Sequence, residues 1–266
     1  MIAAFPMYDW PELRPATDRL WRALREALGR SGCEAPETLT RDRPEPDIWR
    51  DPDLLVAQTC GYPYATALRG TVRLVAIPVY RFDGCDGPTY RSAIVVRRED
   101  GVESLADLRG RRAAFNAVDS QSGYSAFRSV IASLAEGAPF FAGTVEAGGH
   151  LASMTAVVTG AADCAAIDCV CFGLARHVRP DLADRLRVLA WSGPAPALPF
   201  VTAADRSDQE VEWLREGLVT ILADPALSQT RATLGLRGIE ILPDDAYDAI
   251  LEMERAAIDA GYPDLR

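Results

Sequence analysis

Lysine is absent from the 266 residues: all 28 basic side chains are arginine, set against 38 acidic ones for a net charge of −10. With no lysine, a Schiff-base enzyme and a Walker-type phosphate lysine are both excluded. With no basic stripe to release counterions, no nucleic acid is expected as a partner. Long apolar runs are missing too. The opening MIAAFPMYDWPELRP has no basic n-region and its apolar stretch is broken at Pro6 and Asp9, so it reads as neither a signal peptide nor a membrane span. If Met1 is the native start, the chain belongs in the cytoplasm, with no direct membrane insertion. If a leader has been trimmed away, it belongs in the periplasm. Paired-cysteine motifs are a third absence. Cys33, Cys60, Cys85, Cys164, Cys169 and Cys171 follow no CxxC…CxxC plan, and without a secretory leader they are expected to be reduced, small buried hydrophobes.

What is present is core material, 48% hydrophobic, in an alternating pattern. IAAF at 2–5 reads as a short buried strand. Leu13, Leu20, Trp21, Leu24 and Leu28 then recur at helical spacing until Gly29 and Gly32 stop them. DLLVAQ (53–58), TVRLVAIPVY (71–80), SAIVV (92–96), RAAFN (112–116), DCAAID (163–168) and RVLAW (187–191) are further strands, most with helical patterns between them. Alternation of this kind predicts an α/β protein with mostly parallel sheets flanked by helices.

Two Gly/Pro-rich segments, YRFDGCDGPTYRS (80–92) and WSGPAPALPFV (191–201), read as crossings between two lobes. The expected division is 1–89 with 195–266 in a first lobe, and 90–194 in a second that carries the loop VDSQSG. The amphipathic segments WLREGLVTILADP and AYDAILEMERAAI are then outer helices of the first lobe. Ligands of such sheets sit outside the carboxyl ends of strands, at helix N-termini, here in a cleft between lobes.

The candidate polar residues follow strands. They are Tyr8 after the first; Cys60, Gly61 and Tyr62 after LLVAQT; Tyr90 at the first crossing; Asn116, Ser120, Gln121, Ser122, Gly123 and Tyr124 after RAAFN; His150 after EAGG; and Asp168 closing DCAAID. Each has a plainer role open to it: Ser120 or Ser122 as an N-cap, His150 as a surface histidine, Asp168 as a cap. As a set they suit a tetrahedral oxyanion, which wants several neutral donors and one acceptor for a retained proton. Helix N-termini supply roughly half a unit charge each, so an acidic protein can still hold an anion.

VDSQSGYSAF, GGHLASMTAVVTGAADCAAID, PALPFV and the lead-in ESLADLRGRRAAFN resemble the phosphate/phosphite/phosphonate substrate-binding proteins of ABC transporters. The resemblance spans nearly the whole chain and implies the two-lobed type 2 periplasmic-binding fold. It also implies an anion loop at Ser120–Gly123, His150 as the cleft histidine, Asp168 as the acidic residue, and Tyr8, Tyr62 and Tyr90 as aromatics of the hinge side and first lobe. Gln121 sets a longer amide where the family has a hydroxyl, which narrows the pocket.

The expected function is capture of phosphate, phosphonate or a similar small oxyanion for an ABC transporter permease or a regulatory partner. No cofactor and no metal is expected. The alternative is a cytoplasmic enzyme on the same fold, with His150 and Asp168 as acid-base partners on a small anionic metabolite. A metal cluster of Cys164, Cys169, Cys171 and His177 is a remoter reading, because that spacing is not a zinc-ribbon pattern and alternate strand residues face opposite ways.

Overall fold

Every strand expected from the alternating pattern forms in the computed structural model, which describes Met1–Arg266. In chain order the strands are β1 (Ile2–Ala4), β2 (Leu54–Gln58), β3 (Val72–Tyr80), β4 (Thr89–Tyr90), β5 (Ser92–Arg97), β6 (Arg112–Phe115), β7 (Gly143–Glu146), β8 (Cys164–Asp168), β9 (Leu186–Trp191), β10 (Ala195–Pro196), β11 (Phe200–Ala203) and β12 (Leu236–Glu240). They make two five-stranded sheets, ordered β1-β2-β11-β3-β12 and β7-β6-β8-β5-β9, and a two-stranded pair, β4 with β10.

The chain divides into two compact units. The first comprises Met1–Arg81, Asp86–Pro88 and Pro196–Tyr247; the second comprises Phe82–Cys85, Thr89–Ala195 and Asp248–Arg266. The first unit is built on β1, β2, β3, β11 and β12. The helix Arg14–Arg30 buries the predicted stripe of Leu20, Trp21, Leu24 and Leu28. The helix Asp208–Ala223 comes so close to it that a Cβ on Gly217 would lie 2.9 Å from a Leu24 methyl. That second helix starts at a capping box, with Ser207 and Glu210 each bonding the other's backbone N–H.

The second unit holds β5–β9, with a core of Ile94, Val96, Phe127, Ile131, Phe140 and Phe141. Its helices Ala126–Ala135, His150–Val158 and Cys169–Val178 each follow a strand. These connections set the start of each helix beyond the carboxyl end of the preceding strand.

The structure differs from the sequence expectation in three respects. The sheets are mixed. β11 pairs antiparallel with both β2 and β3, and β5 with both β8 and β9. Each is the first full strand after the chain passes into its unit, so it enters from the opposite end to the βαβ strands. PALPFV is therefore not simply a crossing, since its last residues begin β11. Finally, 248–266 belongs to the second unit rather than the first. The helix Asp248–Asp259 buries Ile250 and Ala257, and Tyr262 and Leu265 enter the core beside Phe140 and Phe141. An amphipathic pattern shows that a helix has an apolar face, but not which sheet covers that face.

Candidate functional site

The loop after β6 is shaped by a wide helical turn. Ser120 is its N-cap: the backbone is extended there, and Oγ accepts the Gly123 N–H at 3.0 Å. Gln121–Ser125 forms a π-turn, with the Ser125 N–H bonded to the Ser120 carbonyl at 3.0 Å, and continues directly into the helix Ala126–Ala135. Single π-turns inside helices recur at functional sites because they widen the backbone.

Gly123 is required by space rather than by φ. A Cβ there would lie 1.8 Å from Oδ1 of Asn116, the chain's one asparagine. That Oδ1 is buried without a protein partner.

Ser122 is not a cap. Its Oγ lies 2.9 Å from Nε2 of His150, the first residue of the helix His150–Val158. Gly148, with φ of 82°, and the extended Gly149 turn the chain into that helix. The other ring nitrogen, Nδ1, is buried without a partner, as are the hydroxyls of Ser125 and Ser153. Those two serines lie three residues beyond Ser122 and His150, so each repeats the polar face of its helix. They were missed in the sequence, where that spacing was the available signal. Each buried polar group left unbonded costs about 1–3 kcal/mol. Three of them, on Asn116, Ser125 and His150, lie in or beside one turn and mark a place built to meet polar atoms.

Burial lowers the His150 pKa to about 4, so the ring is neutral at pH 7 and offers one donor and one acceptor. Asp168 combines the plainer expectation with a second one. Its Oδ1 caps the helix Cys169–Val178 by accepting the N–H groups of Val170 at 2.7 Å and Cys171 at 3.3 Å. Yet its carboxylate, the His150 ring and the Cys171 thiol bring donor atoms within 4.8 Å of one another, and this is the group that could hold a metal ion. The other thiols of the four-residue metal reading do not join them. Cys164 Sγ faces the Arg112 carbonyl at 3.8 Å, Cys169 lies against Cys85, and His177 meets the edge of Phe82.

Two of the expected loop residues are turned elsewhere. Tyr124 packs edge-on against Phe115 with ring centroids 5.1 Å apart, and its hydroxyl accepts the Leu265 N–H at 3.2 Å. The wide turn directs it against the core of the second unit, where it also ties down the segment around Leu265. Gln121 aims Nε2 at the Met253 sulfur, 3.4 Å away. Tyr90 is buried on β4.

The remaining candidates, Tyr8, Cys60, Gly61 and Tyr62, lie in the first unit. Tyr8 is buried edge-on against Tyr80 at 5.5 Å. After β2, Cys60 precedes the helical turn Gly61–Pro63, and a second π-turn follows at Tyr64–Leu68. There Tyr64 donates to Asp244 at 2.8 Å and packs edge-on against Tyr247, whose hydroxyl donates to the Ala197 carbonyl at 2.6 Å. The same device, a strand running through small residues into a π-turn, thus occurs once in each unit.

Two α/β units with mixed sheets, and polar groups gathered where helices start beyond strand ends, define a solute-binding protein of the periplasmic type. Solved structures share the fold. One is a binding protein component of an ABC phosphonate transporter, PA3383 from Pseudomonas aeruginosa (TM-score 0.77, 18% identity, covering 98% of this chain and 87% of that one). Another is PhnD1 from Prochlorococcus marinus (MIT 9301) in complex with methylphosphonate (0.74, 16%, 96% and 97%). A third is XAC2383 from Xanthomonas citri bound to ATP (0.70, 17%, 98% and 97%).

The model of the family described as ABC transporter, phosphonate, periplasmic substrate-binding protein matches residues 51–247, and the chain belongs to that family. No helix is long and apolar enough to cross a membrane.

Proposed function

We propose that the chain captures a phosphate- or phosphonate-like oxyanion at the start of the Gln121–Ala135 helical run, without transforming it, and delivers it to an ABC transporter permease. The observation that carries this reading is the Ser122–His150 hydrogen bond of 2.9 Å, with His150 Nδ1 and Asn116 Oδ1 buried and unpartnered beside it. A neutral imidazole donating through Nε2–H to Ser122 Oγ frees the serine O–H to donate to an anionic oxygen, and leaves Nδ1 to accept from a ligand P–OH. The helix start adds its N–H groups and positive end. Asp168, close to the ring, favours a ligand that keeps a proton. Tyr8, Cys60, Gly61 and Tyr62 enter the reading through the sequence alone, all four by following a strand and Tyr8 and Tyr62 also through the resemblance. In this family the working compartment is the periplasm.

The enzyme reading draws on the same serine–histidine pair, which has the spacing of a nucleophile and its base. The ring's pKa of about 4 counts against it, because a general base works best with a pKa near the operating pH. Turnover of phosphate esters or phosphonates on incubation would favour the enzyme.

Ser122→Ala is the direct test. Loss of one hydrogen bond to a charged group is worth about 1.5–3 kcal/mol, so affinity for methylphosphonate or inorganic phosphate should fall roughly ten- to more than a hundredfold, while orphaning His150 Nε2 lowers the melting temperature by a few degrees without unfolding the protein. Titration calorimetry beside a melting curve reads both quantities. Wild-type affinity with earlier melting would reduce Ser122 to a structural residue.

A further inference from the structure

Outside the candidate anion site, one pair of reactive groups is held in contact. Cys85 Sγ lies 3.3 Å from Cys169 Sγ, and both residues belong to the second unit. Four consecutive residues fasten the segment Phe82–Cys85 to the helix Cys169–Val178 and its surroundings. The Phe82 ring covers Gly173 so closely that a Cβ there would lie 2.3 Å from it, and it meets His177 edge-on. Asp83 pairs with Arg176 at 3.5 Å. Gly84 sits at φ +93°, where a Cβ would lie 2.6 Å from the Trp191 ring and 2.9 Å from Cys169 Cβ, so a glycine is needed for the turn to come this near. The Cys85 N–H closes that turn on the Phe82 carbonyl at 3.0 Å.

We propose that Cys85 and Cys169 are a dithiol pair that oxidises to an intramolecular disulfide, stapling the segment between β3 and β4 to the helix that follows Asp168. A disulfide needs its sulfurs about 2.05 Å apart, with the Cβ atoms about 3.5–4.5 Å apart. The turn already holds the thiols side by side, so only local adjustment is required. The oxidant is a small-molecule disulfide of the glutathione class. The partly exposed Cys85 thiolate attacks it, forming a mixed disulfide and releasing one small thiol. The Cys169 sulfur then attacks the Cys85 sulfur, closing the protein disulfide and releasing the second. The two protein thiol protons end on the two released thiols. The order follows from exposure: Cys85 is partly open while Cys169 is buried.

The test treats the reduced protein, without ligand, with oxidised glutathione. The expected product has lost two hydrogens in mass and two of its six thiols, and melts at least about 4 °C higher because a long loop has been closed. Cleavage at arginine leaves Cys164, Cys169 and Cys171 on one peptide, so fragmentation of the cross-linked peptide must assign the bond to Cys169. Cys85→Ser should abolish both cross-link and melting shift, and Cys169→Ser should leave a mixed disulfide on Cys85. A stable glutathione adduct on wild-type Cys85, an unchanged thiol count, a cross-link between other cysteines, or a cross-link with no rise in melting temperature would each overturn the proposal.

Discussion

His150 carries its role in a single number, a pKa lowered to about 4 by burial. In the unfolded chain a histidine takes up its proton near pH 6.5; in the folded protein it does so only near 4. Between those values the unfolded state binds more protons, so stability rises with pH across the window and is lost as pH falls through it, by an amount on the order of 3 kcal/mol. His150→Gln keeps an amide within reach of Ser122 and removes the titration. The urea midpoint of the variant should therefore depend less on pH between 4 and 7 than that of wild type, and equal slopes would mean that the ring is not held neutral. Gly123 offers a second check at this scale. Gly123→Ala drives a Cβ into Asn116 Oδ1 and should cost about 1–3 kcal/mol along with ligand binding. Adding Asn116→Ala removes the opposing atoms, leaving the Asn116 backbone nitrogen 3.3 Å away, so the double variant should regain stability without regaining binding. Denaturant curves for the three proteins decide it, because strict additivity would show that the two residues do not press on each other.

The C-terminal element is where packing overrules pattern. Arg128, in the helix that follows the anion loop, is buried under this segment; it pairs with Glu254 at 3.0 Å and donates to the Pro263 carbonyl. The Phe140 and Phe141 N–H groups both end on the Arg266 carbonyl, at 2.7 and 3.1 Å, and Tyr262 fills the core beneath. Tyr262→Ala should thus cost about 3–5 kcal/mol, and Tyr262→Phe, which keeps the ring and loses only the hydroxyl contact with Arg266, about 1 kcal/mol. Equal losses in equilibrium unfolding would shift the weight from the ring to the hydroxyl. The sequence shows this helix clearly in Ile250 and Ala257 but not its partner, because the helix it packs against, Ala126–Ala135, lies over a hundred residues back in the chain. β7 was invisible for another reason: all four of its residues are exposed, so there is no alternation to read. Among the strands that were legible, β2, β5 and β8 are nearly continuous apolar runs buried along their length. The candidate site's geometry was legible in part. Ser122, His150 and Asp168 follow strands as small or polar residues, and the structure brings them to one place. The inward turn of Tyr124 comes from the π-turn, and no motif in the sequence encodes that turn.

At the scale of the whole molecule, charge makes the sharpest prediction. The chain carries −10 overall, and the groups proposed to hold the anion are a serine hydroxyl, backbone N–H groups at a helix start and a neutral imidazole, with Asp168 nearby. An anionic ligand therefore approaches against the long-range field and is held by short-range dipoles. Salt acts on these two stages unequally. The Debye length falls from about 30 Å at 0.01 M to about 8 Å at 0.15 M, which screens the approach but hardly touches buried hydrogen bonds. The association rate for methylphosphonate or inorganic phosphate should thus rise with ionic strength, the reverse of steering by a basic cleft, while the dissociation rate stays flat. Stopped-flow binding in sodium gluconate, whose bulky anion does not compete for the site, measures both rates. An association rate that falls with added salt would mean that arginines draw the ligand in, and that neutral donors are not what this acidic protein relies on.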